Sequence, residues 1–321
     1  MKASVYTKYG PPDVLTIRDI EKPVPKDHEV LIRVMAATVN RTDCAMLRAK
    51  PFIMRFFIGL WKPRKLVLGT DFAGVVEATG QHVKRFKVGD RVFGFNDMGV
   101  CSHAQYMTIA EQNAMGVIPD AISFRHAAAS IEGAHYAYNF SNKVTIAKEQ
   151  KILVNGATGA IGSAMVQLLK YYGAHVTAVC NKKNVSLVKS LGADRIIDFE
   201  KEDFTNGDQQ YDCIFDAVGK SSFGRCKHLL TPRGIYSSSE LGWMAQNIFF
   251  ALITPVMGGK KVIFPIPTNP QKSVTLLQQL MEQGKFMPVI DRVYPLEQIA
   301  TAFQYVETGQ KTGNVIITLD V

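Results

Sequence analysis

Apolar and polar positions follow two grammars along this chain. Through the first 120 residues the apolar runs are short and broken by turns: Val30 to Val34 (VLIRV), Gly74 to Ala78 (GVVEA), and Arg91-Val92-Phe93 behind the turn Gly89-Asp90. They predict an irregular, mostly β domain. From Lys151 strand and helix alternate. Lys151 to Asn155 (KILVN) predicts a buried strand, Ala160 to Tyr172 a helix closed by Gly173, His175 to Cys180 a strand, Val185 to Leu191 a helix closed by Gly192, and Arg195 to Asp198 a third strand. Asp212 to Asp216, a helix near Phe223 to Leu230, the turn Thr231 to Gly234 and the strands Ile235 to Ser238 and Lys261 to Phe264 continue the series. Repeated βα units demand a parallel, doubly wound sheet with helices on both faces. After the proline-rich exit at residues 265–270, Val274 to Gln283 reads as a helix and Val315 to Leu319 as a closing strand. This tail is too short to stand alone and is expected to pack on the first domain.

The segment ILVNGATGAIG places Gly156, Gly159 and Gly162 three apart, between a buried strand and a helix. Glycines there let the chain turn tightly and bring backbone N–H groups to a pyrophosphate at the helix start. The context makes a dinucleotide site of a weak pattern. The cofactor contacts expected are Gly156, Thr158, Gly159, Ala160, Ile161 and Gly162, then Asn181, Lys182 and Lys183 after the next strand, and Phe199 and Val218 after later ones. An NAD site places a carboxylate about 20 residues on, to bind the ribose 2′-hydroxyl; here Asn181 stands there with Lys182 and Lys183 behind it. A neutral amide and two ammonium groups suit the 2′-phosphate of NADPH, although a solvated basic loop would read the same way.

Composition narrows the class. The chain has 321 residues, 47% hydrophobic and 20% charged, which excludes a disordered, collagen-like or disulfide-scaffold protein and leaves room for two domains. No apolar stretch reaches the roughly 20 clean residues of a membrane span, and the N-terminus lacks a signal-peptide core, so no membrane span and a cytoplasmic location are expected. The net charge of +9 is spread rather than gathered in a tail, which argues for solubility and phosphorylated ligands and against nucleic acid. Five cysteines, with no C-x-x-C pair, read as separate reduced thiols.

Four strings carry a family resemblance: AATVNRTD (36–43), LGTDFAGVVEATG (68–80), FKVGDRVFGF (86–95), and the glycine motif with LVKSLGADRIIDF (187–199). Over nearly its whole length the chain resembles the zinc-independent, quinone oxidoreductase-like branch of the medium-chain dehydrogenase/reductase superfamily. The resemblance implies a GroES-like catalytic domain at residues 1–120 and 268–321, a Rossmann nucleotide-binding domain at 121–267, and a substrate cleft at their junction. Zinc-dependent relatives carry a cysteine where this chain has Asn40, a His-Glu pair where it has Thr70-Asp71, and a four-cysteine lobe that it lacks. Cys44, Asp71 and Cys101-x-His103 remain as isolated candidates, and no metal is expected.

Without a Lewis acid, a conjugated acceptor is the simpler substrate: hydride goes to a quinone or to the β-carbon of an enone or enal, and the enolate oxygen needs only hydrogen-bond donors. The resemblance implies an orienting role for Asn40, with helix capping as the alternative. His135 stands where relatives often have threonine, and it or Tyr136 could donate beside the nicotinamide, packing being the alternative for the histidine. Ala45 replaces a tyrosine found in some quinone-reducing relatives. The expectation is an NADPH-dependent reductase of small quinones or enones, with a homodimer left open. The competing reading is an NADPH-binding protein with little turnover that acts through a protein or nucleic-acid partner. The apolar segments 52–61 and 241–257 would shape the cleft, cover it, join subunits or pack in a core.

Overall fold

The structure, a computed structural model, describes residues 1–319. The chain divides into two compact units, residues 1–132 with 269–321, and residues 133–268. Along the first stretch run β1 (Lys2–Val5), β2 (Thr16–Asp19), β3 (Glu29–Val39), α1 (Arg41–Arg48), α2 (Met54–Ile58), β4 (Asp71–Thr79), β5 (Arg91–Phe95), β6 (Tyr106–Ala110), β7 (Met115–Val117) and α3 (Phe124–Ala129). After α4 (Glu132–Asn142) come β8 (Lys151–Asn155), α5 (Ala160–Tyr171), β9 (His175–Cys180), α6 (Val185–Ser190), β10 (Arg195–Asp198), β11 (Tyr211–Asp216), α7 (Phe223–Cys226), β12 (Leu230–Ser238), α8 (Gln246–Met257) and β13 (Lys261–Ile263). The tail adds α9 (Pro270–Glu282), β14 (Ile290–Pro295), α10 (Ile299–Glu307) and β15 (Asn314–Thr318).

In the first unit a sheet runs β14-β15-β3-β4-β5-β7, with β6 also on β3. The tail strand β15 pairs antiparallel with the far end of β3, Val315 opposite Val39. Strand β3 is long because almost every residue from Val30 to Val39 is buried, which gives it two covered faces instead of simple alternation. The core holds Ile32, Leu47, Phe72, Phe303 and Ile317, so the tail is part of this unit's interior. The unit extends to Glu132 rather than to residue 120, because α3 buries Ala127, Ala128 and Ala129 and packs on β3, β4 and β15. It resumes at Asn269.

The second unit is a six-stranded parallel sheet in the order β10-β9-β8-β11-β12-β13. The chain steps outward from β8 to β10, returns to β11, and steps outward the other way. Strands β8 and β11 therefore flank a switch point, where a crevice opens at the carboxyl ends of the strands. Leu153, Val179, Ile214, Tyr236 and Val262 lie in the core of this sheet. The predicted turn Thr231 to Gly234 interrupts β12 as a bulge: pairing with β11 jumps from Tyr211 opposite Leu230 to Cys213 opposite Ile235, and a Cβ on Gly234 would lie 2.9 Å from Leu230 Cβ. Each apolar segment gives only part of itself to a core: Met54 and Ile58 pack on the first and Phe250 and Ala251 on the second, while Phe56, Phe57 and Trp61 in the first unit, and Phe249, Leu252 and Val256 in the second, are exposed. No helix among the described residues is long and apolar enough to cross a membrane.

Candidate functional site

In the second unit the chain passes from β8 to α5 through Gly156, Ala157, Thr158 and Gly159. The three motif glycines have different causes. Gly156 has φ +77°, and a Cβ there would lie 2.3 Å from Val218 Cγ1. Gly162 sits in the first turn of α5, where a Cβ would lie 2.1 Å from the Gly156 carbonyl oxygen. Gly159 has φ −71°, open to any residue, and a Cβ there would meet nothing nearer than the Gly156 oxygen at 3.8 Å. Neither packing nor backbone conformation accounts for it. It starts α5 with no side-chain cap, so the amides of Ala160, Ile161 and Gly162 and the positive end of the helix dipole face an approach with no side chain in the way. These residues fit the phosphates of a dinucleotide.

Asp216, buried at the end of β11, organises the opposite side of the switch point. Its Oδ1 accepts from Asn155 Nδ2 at 3.0 Å, Val218 N at 3.2 Å and Gly219 N at 2.9 Å, and its Oδ2 from Ser221 N at 2.9 Å and the Tyr236 hydroxyl at 3.2 Å. The carboxylate ties β8 to β11 and holds Val218 beside Gly156. The sequence reading missed it; its signal is a carboxylate closing the buried apolar run Cys213 to Phe215.

After β9, Lys182 and Lys183 open a short 3-10 turn, Lys182–Asn184, and are exposed. Asn181 Oδ1 accepts from Asn184 Nδ2 at 2.7 Å, which fixes the turn. Phe199 follows β10; its amide donates to Cys180 O at 3.0 Å and its ring is 55% exposed beside the strand ends. Glu200 was also missed. Its Oε2 accepts from Lys182 N at 3.4 Å, so a carboxylate does reach the end of β9, from the neighbouring strand. Parallel pairing of Asp198 with Cys180 makes that placement unavoidable.

On α4, Asn139 Oδ1 accepts from Thr268 N at 2.9 Å, which turns Nδ2 toward His135, 2.9 Å from its carbonyl and 3.3 Å from Nδ1. Nδ1 is then the acceptor, and the imidazole proton sits on Nε2. Burial lowers the His135 pKa to about 4, so the ring is neutral near pH 7. Tyr136 lies edge-on to it, 5.9 Å between ring centres.

In the first unit Asn40 caps α1. Its Oδ1 accepts from Asp43 N at 2.9 Å, and Asp43 Oδ2 accepts in return from Asn40 N at 3.1 Å, a capping box. Asn40 Nδ2 donates to Thr70 Oγ1 at 2.7 Å and to Thr38 Oγ1 at 3.3 Å. With 4% exposure, its amide is directed into the unit: Oδ1 serves the cap, and Nδ2 is taken by Thr70 and Thr38. Asp71 Oδ1 accepts from Thr38 N at 2.7 Å and its Oδ2 from the Thr38 hydroxyl. Burial raises Asp71 to about 6 against the pull of those bonds and of Asn40. Asp43 is pushed well above the usual carboxylate range by burial and by Asp71. His103 Nε2 lies 2.8 Å from Thr38 O, and burial lowers its pKa to about 4. Glu132, also missed, accepts from the Thr42 hydroxyl at 3.3 Å; burial lifts it to about 7 while Lys311 pulls it back.

The positions that hold zinc ligands in zinc-dependent relatives are thus knit into a buried hydroxyl–amide–carboxylate network. Among the described residues no group of three His, Cys, Asp or Glu could hold a metal ion.

Comparison with known proteins matches residues 26–151 to the alcohol dehydrogenase GroES-like domain family and residues 191–317 to the family described as zinc-binding dehydrogenase. The chain is 32% identical to the 2-methylene-furan-3-one reductase of Solanum lycopersicum, covering 99% of this chain and 79% of that one. It is 31% identical, at the same coverage, to the chloroplastic NADPH-dependent alkenal/one oxidoreductase of Arabidopsis thaliana. Its fold matches the structure of the quinone oxidoreductase from Coxiella burnetii with a TM-score of 0.86, at 23% identity over 100% of this chain and 99% of that one.

Proposed function

The chain belongs to the medium-chain dehydrogenase/reductase superfamily as a quinone oxidoreductase-like member, and from that premise we propose that it transfers hydride from NADPH to a quinone or an α,β-unsaturated carbonyl without zinc. The observation that carries the reading is Gly159, a bare, uncapped helix start at the switch point of a parallel sheet, where a phosphate can reach the backbone amides unobstructed. Relatives named as alkenal/one and furanone reductases support the acceptor class.

When bound, the reduced nicotinamide supplies hydride. The amides of Ala160 to Gly162 hold the pyrophosphate, with Thr158 in the loop and Val218 keeping Gly156 in place. Asn181, Lys182 and Lys183 would receive the 2′-phosphate, and the exposed Phe199 would offer its ring to the adenine. His135, neutral and only 1% exposed, serves from within α4 by packing the helix turn on which the Tyr136 hydroxyl is the donor. The developing enolate oxygen requires donors of that kind. Asn40 contributes from within the first unit as the cap that orders α1. Zinc has no part in this scheme because positions 40, 70 and 71 supply a single carboxylate, already bonded to Thr38, where a tetrahedral site needs three or four ligands.

The test is oxidation of NADPH by the purified protein across a panel of quinones, enals and enones, with plain alcohols and NADP⁺ run in reverse. Turnover confined to the conjugated acceptors supports the proposal. Stoichiometric NADPH binding without turnover on any of them would make the chain a cofactor-binding protein instead.

A further inference from the structure

The first unit carries an apolar surface that neither its core nor the chemistry above uses. Residues 51–65, PFIMRFFIGLWKPRK, join α1 to β4 and contain α2, none of whose residues is buried. Trp61 is 86% exposed, and Phe52, Ile53, Phe56 and Phe57 are between 59% and 63% exposed. A contiguous exposed apolar patch marks an interaction site. The segment is nonetheless anchored: the Tyr9 hydroxyl donates to Gly59 O at 2.6 Å, and the Arg55 guanidinium lies 5.1 Å from the Tyr9 ring centre. Its outward face is built on a fixed base.

Charge selects the occupant. From residue 44 to residue 70 there is no Asp or Glu, while Arg48, Lys50, Arg55, Lys62, Arg64 and Lys65 fall in that stretch. Arg48 is paired with Glu307 and Lys65 donates to the carbonyls of Met98 and Gly99. Lys50, Lys62 and Arg64 are exposed on either side of the aromatic run. A second copy packed by two-fold symmetry would set these cations against themselves. An anionic bilayer surface matches both features. Its phosphates take the cations, and its headgroup–acyl boundary takes tryptophan and phenylalanine without a shaped pocket.

We propose that residues 52–65 dock this protein peripherally on an anionic lipid surface, the α2 rings and Trp61 entering the headgroup–acyl boundary with Lys50, Lys62 and Arg64 on lipid phosphates. The segment is far too short to span a bilayer, so the attachment is interfacial and salt-sensitive.

The chain has two tryptophans, so Trp243→Phe leaves Trp61 as the sole indole without touching the patch. This variant is mixed with phosphatidylcholine vesicles with and without phosphatidylglycerol, and with vesicles whose acyl chains are brominated. The expected result is flotation with the anionic vesicles only, a blue shift of Trp61 emission, and quenching by the brominated chains. The pairs Lys62→Gln/Arg64→Gln and Phe56→Ser/Phe57→Ser should each weaken partitioning by roughly tenfold or more. No flotation with anionic vesicles at low salt, or flotation without quenching of Trp61, overturns the proposal. A Trp61 blue shift that grows with protein concentration in the absence of vesicles also overturns it, by giving the face to a second copy. The quenching result needs no change within the patch, so it decides the matter even if a patch variant folds poorly.

Discussion

Replacing Gly159 with alanine separates a cofactor cradle from a packing turn. The new Cβ would lie 3.8 Å from the nearest atom, an ordinary contact, and φ is −71°, so nothing in the protein resists it. Alanine is a poorer N-cap than glycine by about 0.5–1 kcal/mol, and it lowers the entropy of the unfolded chain by about 0.4–1 kcal/mol. These nearly cancel, and Tm should move by no more than about 2 °C. A pyrophosphate on the amides of α5, however, would meet that methyl group. Losing one charge-assisted hydrogen bond costs about 2–3 kcal/mol, roughly 30- to 150-fold in Kd. Gly162→Ala is the contrast, because its Cβ would lie 2.1 Å from a backbone oxygen and the loop must move at a cost of about 1–3 kcal/mol; both Tm and affinity should fall. Thermal melts without cofactor and NADPH titrations followed by nicotinamide fluorescence read the two quantities separately. A Gly159→Ala protein with wild-type Kd, or one that loses as much stability as Gly162→Ala, refutes the reasoning.

Removing both ammonium groups with Lys182→Ala/Lys183→Ala should erase a preference for NADPH over NADH of at least roughly tenfold, and with Glu200 left at the strand end the order of the two affinities should tend to reverse; equal wild-type titrations for the two cofactors would contradict the assignment. Asn40→Ala should lose about 2 kcal/mol in urea unfolding, from the cap and its buried hydrogen bonds, with NADPH affinity unchanged; normal stability with turnover slowed tenfold would instead make Asn40 an orienting group for substrate. Asp71, raised to about 6, keeps its proton in the folded protein after the unfolded chain has lost it near pH 4. Its contribution is therefore present at low pH and lost as pH rises through about 6. Buried His103 and His135, lowered to about 4, act in the opposite sense over the same range, so the comparison must be internal: the stability of Asp71→Asn relative to wild type should rise from pH 4 to pH 6 and then level off. Urea curves that stay parallel across that range would show Asp71 to be ionised throughout.

The parallel unit was legible because strand, glycine turn and helix alternate with spacings that admit one topology. Gly156 and Gly162 were readable as a motif, but only the folded chain separates their packing reasons from the open surroundings of Gly159. Glu200 was hidden for a simple cause. The motif's spacing points to the end of one strand for a carboxylate, whereas parallel pairing brings the end of the next strand alongside. The first unit was harder to read: β3 is buried on both faces and lacks alternation, and its partner β15 lies at the far end of the chain. Asn40 carried two readings because an asparagine opening a helix looks the same whether its amide turns inward or outward; here it turns inward, to Thr38 and Thr70. Glu132 gave no signal, since its neighbours Thr42 and Lys311 are distant in sequence.

The most direct test of hydride transfer to a conjugated acceptor is isotopic. The enzyme, dialysed against a chelator, is given NADPH deuterated at nicotinamide C4 on one face or the other, with an enone as acceptor, and the product is examined by NMR and mass spectrometry. The account predicts the saturated ketone with deuterium at the β-carbon from one of the two labelled cofactors, at a rate the chelator does not change. An allylic alcohol labelled at the carbinol carbon, or activity that vanishes on dialysis and returns with zinc, would contradict it.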